Sequence, residues 1–415
     1  MTRVRWSIAS LLFLATVINY VDRQTLSVVA PVLTKELGIS NTEYSNILTA
    51  FMVPYTFMYV ISGWLVDKWG TRRALATFMA WWSAANILHA TARSAFGLGS
   101  FRFLLGLGES GNFMAAEKAI SEWYPAKERG FANGLVNAAA ATGAIISPPL
   151  IAWITIQYGW RAAFVITGSF GFVWLIAWFA IYRLPHEHKK INEAERLYIL
   201  EGRTGLEKER IPYRRLLALP QVWGLLVSRV FADPVWWFYL FWLPKYLQDV
   251  RSFTLAEIGM IAWMPYLCAD LGSLFGGWVS GRFISAKRSA LFARRATMVP
   301  FALVMPVGIL VNYLPSAPAL GVICIVTFSH MAWKTNLMTM TNDIFPTSMV
   351  GSAAGVVGLG SGLAGAISTP LVGRIVDAFG YGSVFCVMGF LHPIAMGLLF
   401  LLVRRKVEVA AEVRA

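Results

Sequence analysis

Five residues near the N-terminus, Asn19-Tyr20-Val21-Asp22-Arg23, set an amide, a phenol, a carboxyl and a guanidinium inside an otherwise apolar stretch. A second apolar stretch carries Arg102 and Glu109, seven residues apart and so two turns along one helix face. A third carries His330, Trp333, Lys334 and Asn336. Burial favours the neutral form of a carboxyl, and a neighbouring guanidinium favours the charged form. An anion that takes the planar fork of such a guanidinium leaves the acid without its partner and ready to bind a proton. Asp22, Arg23, Arg102 and Glu109 therefore read either as a set that couples anion and proton uptake or as static ion pairs locking the first helix to the fourth. Adjacent helical positions point about 100° apart. Asp22 and Arg23 thus face different ways, one of them toward the helix of Glu109. Tyr20 and Tyr55 offer hydroxyls on aromatic bodies, which suits a sugar acid. No nucleophile–base pair, metal-ligand spacing or nucleotide loop is visible, so the expectation is no enzyme, no cofactor and no metal.

The elements that hold these groups follow from composition. Of 415 residues 57% are hydrophobic and 14% charged, with a mean hydropathy of +0.58. Soluble domains run about 45–50% apolar and about 25% charged. A water-soluble body is excluded, and 17 Trp, 27 Phe and 14 Tyr exclude disorder. A membrane helix needs about 20 apolar residues. Twelve runs qualify, near residues 6–33, 44–66, 74–92, 96–120, 131–156, 161–184, 221–247, 257–281, 291–313, 317–343, 350–376 and 382–403. The first run is too long for a cleaved leader and contains Asp22-Arg23, so it reads as a membrane helix. The reading is an all-α integral membrane protein with 12 transmembrane helices. An ionisable residue inside a span costs at least about 2.5–3.5 kcal/mol on insertion scales and is a functional candidate by default.

The formal charge of +14 would suggest nucleic acid in a soluble chain, but here the cations lie in short clusters between spans. With both termini cytoplasmic, the inner segments collect about 25 of the 36 Lys and Arg and the outer ones about six. The partners expected are therefore the lipid bilayer, a small organic anion and protons, with no nucleic acid. A cell (inner, cytoplasmic) membrane and a functional monomer are expected.

The halves repeat. Residues 123–168 align without a gap to 344–389, with Pro125 on Pro346, Gly130 on Gly351 and Pro149 on Pro370. Gly63-Trp64 falls on Gly277-Trp278. The expected domains are a six-helix bundle over 1–184, a cytoplasmic linker over 185–220 and a second six-helix bundle over 221–415. Two halves of the same orientation imply a site near the membrane midplane and alternating access.

Other intramembrane groups leave alternatives open. His330 occupies the repeat position of Glu109 and reads either as a site residue or as packing. Lys334 either reaches an anion or pairs with an acid such as Asp233 or Asp270. His89 and His392 read as structural, and Lys118 as reaching the cytoplasmic interface. Cys268, Cys324 and Cys386 read as packing residues. The aromatic run Trp236 to Tyr239 either stacks on a sugar ring or faces lipid.

The stretch Gly63-Trp64-Leu65-Val66-Asp67-Lys68-Trp69-Gly70-Thr71-Arg72-Arg73 resembles the loop signature of the major facilitator superfamily, with a degenerate copy at Gly277 to Arg282. The resemblance implies the major facilitator fold, two pseudo-symmetric bundles, and a gating role for Gly63, Asp67, Gly70, Arg72 and Arg73. Asn19 to Arg23, and Arg102 to Pro125, are similar to the first and fourth helices of the anion:cation symporters. Asp233 to Leu247, Ala269 to Ser273 and the set His330, Trp333, Asn336, Asp343 and Phe345-Pro346 resemble the hexuronate transporters. That resemblance implies proton-coupled import of glucuronate or galacturonate, with Asp22 and Glu109 carrying protons and Arg23, Tyr20 and Tyr55 meeting substrate. Lys334, Asn336, His330 and Trp333 complete the expected site. Ala138 to Ala141, Gly360-Ser361-Gly362, Met114 and Lys334 depart from the family pattern, so another organic anion such as an aldonate or glucarate stands as the alternative. A proton-antiporting exporter would not need Arg23 beside Asp22. A transporter-like sensor finds no appended domain to signal through.

Overall fold

The computed structural model describes residues 4–188, 190–200, 213–345 and 347–403. These residues are helical throughout their ordered elements, with no strand among them. The first half contains α1 (Val4–Leu37), α2 (Asn41–Trp69), α3 (Thr71–Leu88), α4 (Ala95–Glu109), α5 (Gly111–Trp123), α6 (Ala126–Tyr158) and α7 (Trp160–Ile181). Two short helices, α8 (Glu193–Leu200) and α9 (Tyr213–Leu217), follow. The second half contains α10 (Pro220–Asp249), α11 (Leu255–Ile261), α12 (Met264–Ser285), α13 (Ala290–Val304), α14 (Ser316–Ile344), α15 (Thr347–Phe379) and α16 (Tyr381–Leu402). Pairing α4 with α5, α11 with α12, and α13 with the 3-10 helix Met305–Asn312 gives twelve helical runs that match the twelve apolar stretches.

Among the described residues, eight of these helices are long and apolar enough to cross a membrane, and α2 makes a ninth when its two parts are taken as one span. Of the remaining runs, the fourth is divided by the break at Ser110 into α4 of 15 residues and α5 of 13, and α10 holds Arg229, Asp233 and Lys245.

The repeat extends to element boundaries. Helices α6 and α15, and likewise α7 and α16, have the same lengths, 33 and 22 residues. Gly159 at φ 84° joins α6 to α7 and Gly380 at φ 75° joins α15 to α16, both in the left-handed region, a turn that a side chain would strain. Two capping boxes also correspond. Ser40 with Glu43 starts α2, and Thr254 with Glu257 starts α11.

Backbone proximity divides the chain into two compact units, Met1–Leu206 with Phe241–Trp263, and Glu207–Leu240 with Met264–Ala415. The expected second bundle over 221–415 thus yields residues 241–263 to the first unit. The Tyr44 hydroxyl donates to the Phe241 carbonyl at 2.8 Å, and Gly259 lies against Ala152. The linker helix α8 is tied to α1: Glu195 accepts from the Val4 and Arg5 amides and pairs with the Arg5 guanidinium at 3.0 Å. Arg404, Arg405 and Lys406, which follow the last apolar run, lie outside the described residues.

Candidate functional site

Within the first unit, close backbone approach decides which side chains meet. A Cβ on Gly106 would stand 2.4 Å from the Phe51 carbonyl oxygen, so α4 touches the backbone of α2. A Cβ on Gly143 would stand 2.7 Å from Tyr20 Cβ and 2.9 Å from the Val17 carbonyl oxygen, so α6 presses on α1 at the chemical motif. Small residues permit this spacing. The helical run of α4 and α5 breaks at Ser110, immediately after Glu109, and Asn19 Nδ2 donates to the Glu109 carbonyl at 3.4 Å.

Arg23 is the side chain that meets α4. Its Nε donates to Glu109 Oε2 at 2.8 Å, and Nη2 donates to Asn19 Oδ1 at 3.2 Å. Three rings surround the guanidinium carbon, with centroids at 4.9 Å for Tyr20, 5.4 Å for Phe51 and 4.8 Å for Tyr55. All three lie within the range at which an aromatic face attracts a cation. A guanidinium has five N–H donors; Glu109 and Asn19 take two.

Asp22 points elsewhere. Its Oδ1 accepts from Asn86 Nδ2 at 2.8 Å, and the same amide group reaches Thr167 Oγ1 at 2.8 Å. Asp22 is fully buried, with no Lys or Arg within 4.0 Å among the described residues. Asp22 Oδ2 and Glu109 Oε1 are buried without a hydrogen-bond partner.

The expected ion pair of Arg102 is not formed. Its Nη2 donates to the Arg23 carbonyl at 2.9 Å, and its guanidinium lies over Phe51, centroid distance 5.4 Å. Two helical turns put Arg102 opposite the backbone of α1 and beyond salt-bridge reach of either acid. Phe51 is thereby shared between Arg23 and Arg102. Phe51, Asn86 and Thr167 belong to the site without carrying a charge that would single them out in the sequence. Phe51 is one turn before Tyr55 on α2, and Asn86 is an amide inside an apolar helix, which were the available signals.

In the second unit, α14 lies against α12 across Gly272 and Gly276, whose Cβ atoms would stand 2.1 Å from the Phe328 and 2.5 Å from the Ala332 carbonyl oxygens. Asn336 serves that contact, donating to the Gly276 and Ala332 carbonyls at 3.0 and 2.9 Å. Trp333 is buried in the hydrophobic core with Val222, Leu225 and Leu399. His330 Nδ1 lies 3.0 Å from His392 Nε2, so the two intramembrane histidines are partners. The Trp236 ring runs parallel to His330 at 6.0 Å. Of the two acids proposed for Lys334, Asp233 is the one it meets, Nζ to Oδ1 at 3.6 Å. Arg229, one turn before Asp233, holds the other oxygen through Nε at 3.1 Å and Nη2 at 2.9 Å. His89 bonds Ala85 and stacks on Phe164 at 4.9 Å.

The signature loop is the turn between α2 and α3. Gly70 at φ 77° makes the turn. Asp67 pairs with Lys118 at 2.9 Å, and Lys118 also takes the Val66 carbonyl. Arg72 donates to the Phe179 carbonyl at 2.7 Å, and Arg73 is exposed. A Cβ on Gly63 would meet nothing within 4 Å.

Residues 12–369 match the Major Facilitator Superfamily. The chain is 33% identical to the hexuronate transporter of Escherichia coli (strain K12) over 99% of this chain and 96% of that one. It is 33% identical to the galacturonate transporter of Dickeya chrysanthemi over 77% of this chain and 94% of that one. The inward-facing, occupied crystal structure of a bacterial homolog of the human lysosomal transporter Spinster superposes with a TM-score of 0.79 at 17% identity, covering 99% of this chain and all of that one. Family match, apolar helices and fold agree: the chain belongs to the Major Facilitator Superfamily and is a multi-pass membrane transporter, not an enzyme.

Proposed function

We propose that this transporter imports a six-carbon sugar-acid anion of the hexuronate kind, glucuronate or galacturonate, together with protons. It works by alternating access, as a monomer in the inner membrane with both termini in the cytoplasm. The observation that carries the reading is the state of Arg23: a buried guanidinium ringed by Tyr20, Phe51 and Tyr55, whose one ion pair is a buried acid. The names of the hexuronate and galacturonate transporters that the chain resembles support the substrate class.

The cycle follows from exchange at that pair. A proton on Glu109 removes the charge that holds Arg23, and the carboxylate of the sugar acid takes the vacated fork. Among the described residues Asp22 has no salt-bridge partner, so a proton removes the cost of burying its charge. The rings of Tyr20 and Tyr55 offer faces to the sugar and hydroxyls to its oxygens. Release of the anion inside returns Glu109 to Arg23 and frees the protons. One proton per monoanion moves no net charge; two move one positive charge, worth about 2.3 kcal/mol per 100 mV of membrane potential.

The test is Glu109→Gln in proteoliposomes. Accumulation driven by an acid exterior is expected to vanish while counterflow exchange of labelled glucuronate persists. Uphill uptake by this variant overturns the assignment of Glu109, and accumulation of neutral glucose as readily as glucuronate overturns the substrate class.

A further inference from the structure

Apart from the chemistry around Arg23, the first unit carries a cavity of about 360 Å³ where α1 begins and α7 ends. Val4 and Ser7 of α1 and Ala180 and Ile181 of α7 line it, together with the cations Arg183 and Lys190. Trp174 lays α7 against α1, its Nε1 donating to the Leu11 carbonyl at 2.9 Å. His188, which also lines the cavity, fixes the segment that follows α7. Its Nε2 donates back to the Ile181 carbonyl at 3.1 Å, its Nδ1 accepts from the Lys190 amide at 3.3 Å, and its ring meets Trp123 edge-on at 5.5 Å. The chain thus turns back on the end of α7 and brings Arg183 and Lys190, seven residues apart, to one cavity.

These two cations have no counter-charge. Among the described residues neither side chain has a carboxylate within 4.0 Å. Of the acids in this segment, Glu187 pairs with His186 and Glu195 with Arg5, while Glu193 is exposed and reaches neither cation. The cavity also stands at the end of an apolar stripe. Val173 and Ile176 are 66% and 73% exposed, and with Ala180 they follow a spacing of three and then four along one face of α7. An exposed apolar stripe that ends on two unpaired cations repeats the order of a phospholipid, acyl chains and then phosphate.

We propose that this cavity binds an anionic phospholipid, with its phosphate on Arg183 and Lys190 and its acyl chains along the α7 stripe. Arg183 offers a planar fork to two phosphate oxygens, and Lys190 adds a point charge. Ser7 supplies a hydroxyl from α1. His188 is a positioning residue, since its two ring nitrogens are taken by the backbone it holds. With both termini cytoplasmic, as proposed above, the lipid belongs to the inner leaflet; the binding itself does not depend on that orientation.

The experiment is native mass spectrometry of the purified whole chain, titrated with phosphatidylglycerol or with phosphatidylcholine of the same acyl chains. Wild type is expected to hold one phosphatidylglycerol at least about tenfold more tightly than phosphatidylcholine. In the double variant Arg183→Gln, Lys190→Gln that ratio is expected to fall to about one. The double variant Lys287→Gln, Arg288→Gln removes two exposed cations between α12 and α13 and is expected to keep it. Equal loss in both double variants reveals diffuse attraction to a positive surface and overturns the site. So does a ratio of one in wild type, a result that needs no variant to fold. Inorganic phosphate in excess is expected to leave the lipid bound; displacement by the free ion assigns the cavity to phosphate and overturns the lipid. Sugar-acid transport stands or falls separately from each of these outcomes.

Discussion

Arg23 and Glu109, 86 residues apart in the chain, meet through a 2.8 Å bond from Nε to Oε2 with 2% and 0% of their side chains exposed. The pair joins α1 to the end of α4, where the helix breaks. Its two members are therefore held by different elements, and a change in either charge acts on their packing.

Arg23→Lys keeps the charge and loses the fork. A lysine cannot reproduce both the Glu109 and the Asn19 bonds, so KM for the sugar acid is expected to rise at least about tenfold. Arg23→Ala leaves Glu109 buried without a partner and is expected to cost about 3–5 kcal/mol of stability. Transport kinetics and thermal unfolding separate the two effects.

Gly143→Ala puts a Cβ 2.7 Å from Tyr20 Cβ, so α1 and α6 must part. A loss of about 1–3 kcal/mol is expected, together with a weaker grip on substrate because Tyr20 moves. Gly134→Ala, on the same helix with nothing within 4 Å, is the control. Its unfolding midpoint should not fall.

The Asp67–Lys118 pair is surface-placed, with Asp67 79% exposed. Exposed pairs contribute about 0–1 kcal/mol, so Asp67→Asn should leave the unfolding midpoint nearly unchanged. Its expected effect is on turnover, because Lys118 also caps the α2 carbonyl of Val66 and so links two helices at the cytoplasmic turn. A wild-type initial rate in Asp67→Asn counts against gating by this loop.

Ser40→Ala and Thr254→Ala each remove a helix cap and should each cost about 1 kcal/mol. The backbone amide and hydroxyl of Ser40 hold the Glu43 carboxyl below its ordinary range. A carboxyl lowered in the folded state stabilises above its unfolded value and loses that contribution as pH falls through the folded one. The difference in unfolding midpoint between wild type and Glu43→Gln should therefore vanish below the ordinary carboxylate range. A difference that persists in acid contradicts this.

Much of the architecture is written in local pattern. Apolar runs of membrane length set the spans, and the internal repeat sets their correspondence down to Gly159 and Gly380. The acids and cations of α1 and α4 stand out because a charge in an apolar run is costly whatever the fold.

Partnership is a different matter. Periodicity says that Asp22 and Arg23 diverge, but only the packing of α1 on α3, α4 and α7 gives Glu109 to Arg23 and Asn86 to Asp22. Arg102 went to a backbone carbonyl because rotation about the helix axes, invisible in a linear code, faced it to α1. Lys334 had two acids within plausible reach, and the approach of α14 to the rest of its unit selected Asp233. Sequence alone determined which groups are expensive to bury; the tertiary structure decided which of them share that expense, since a contact a few ångströms wide depends on helix rotation and depth that no single helix contains.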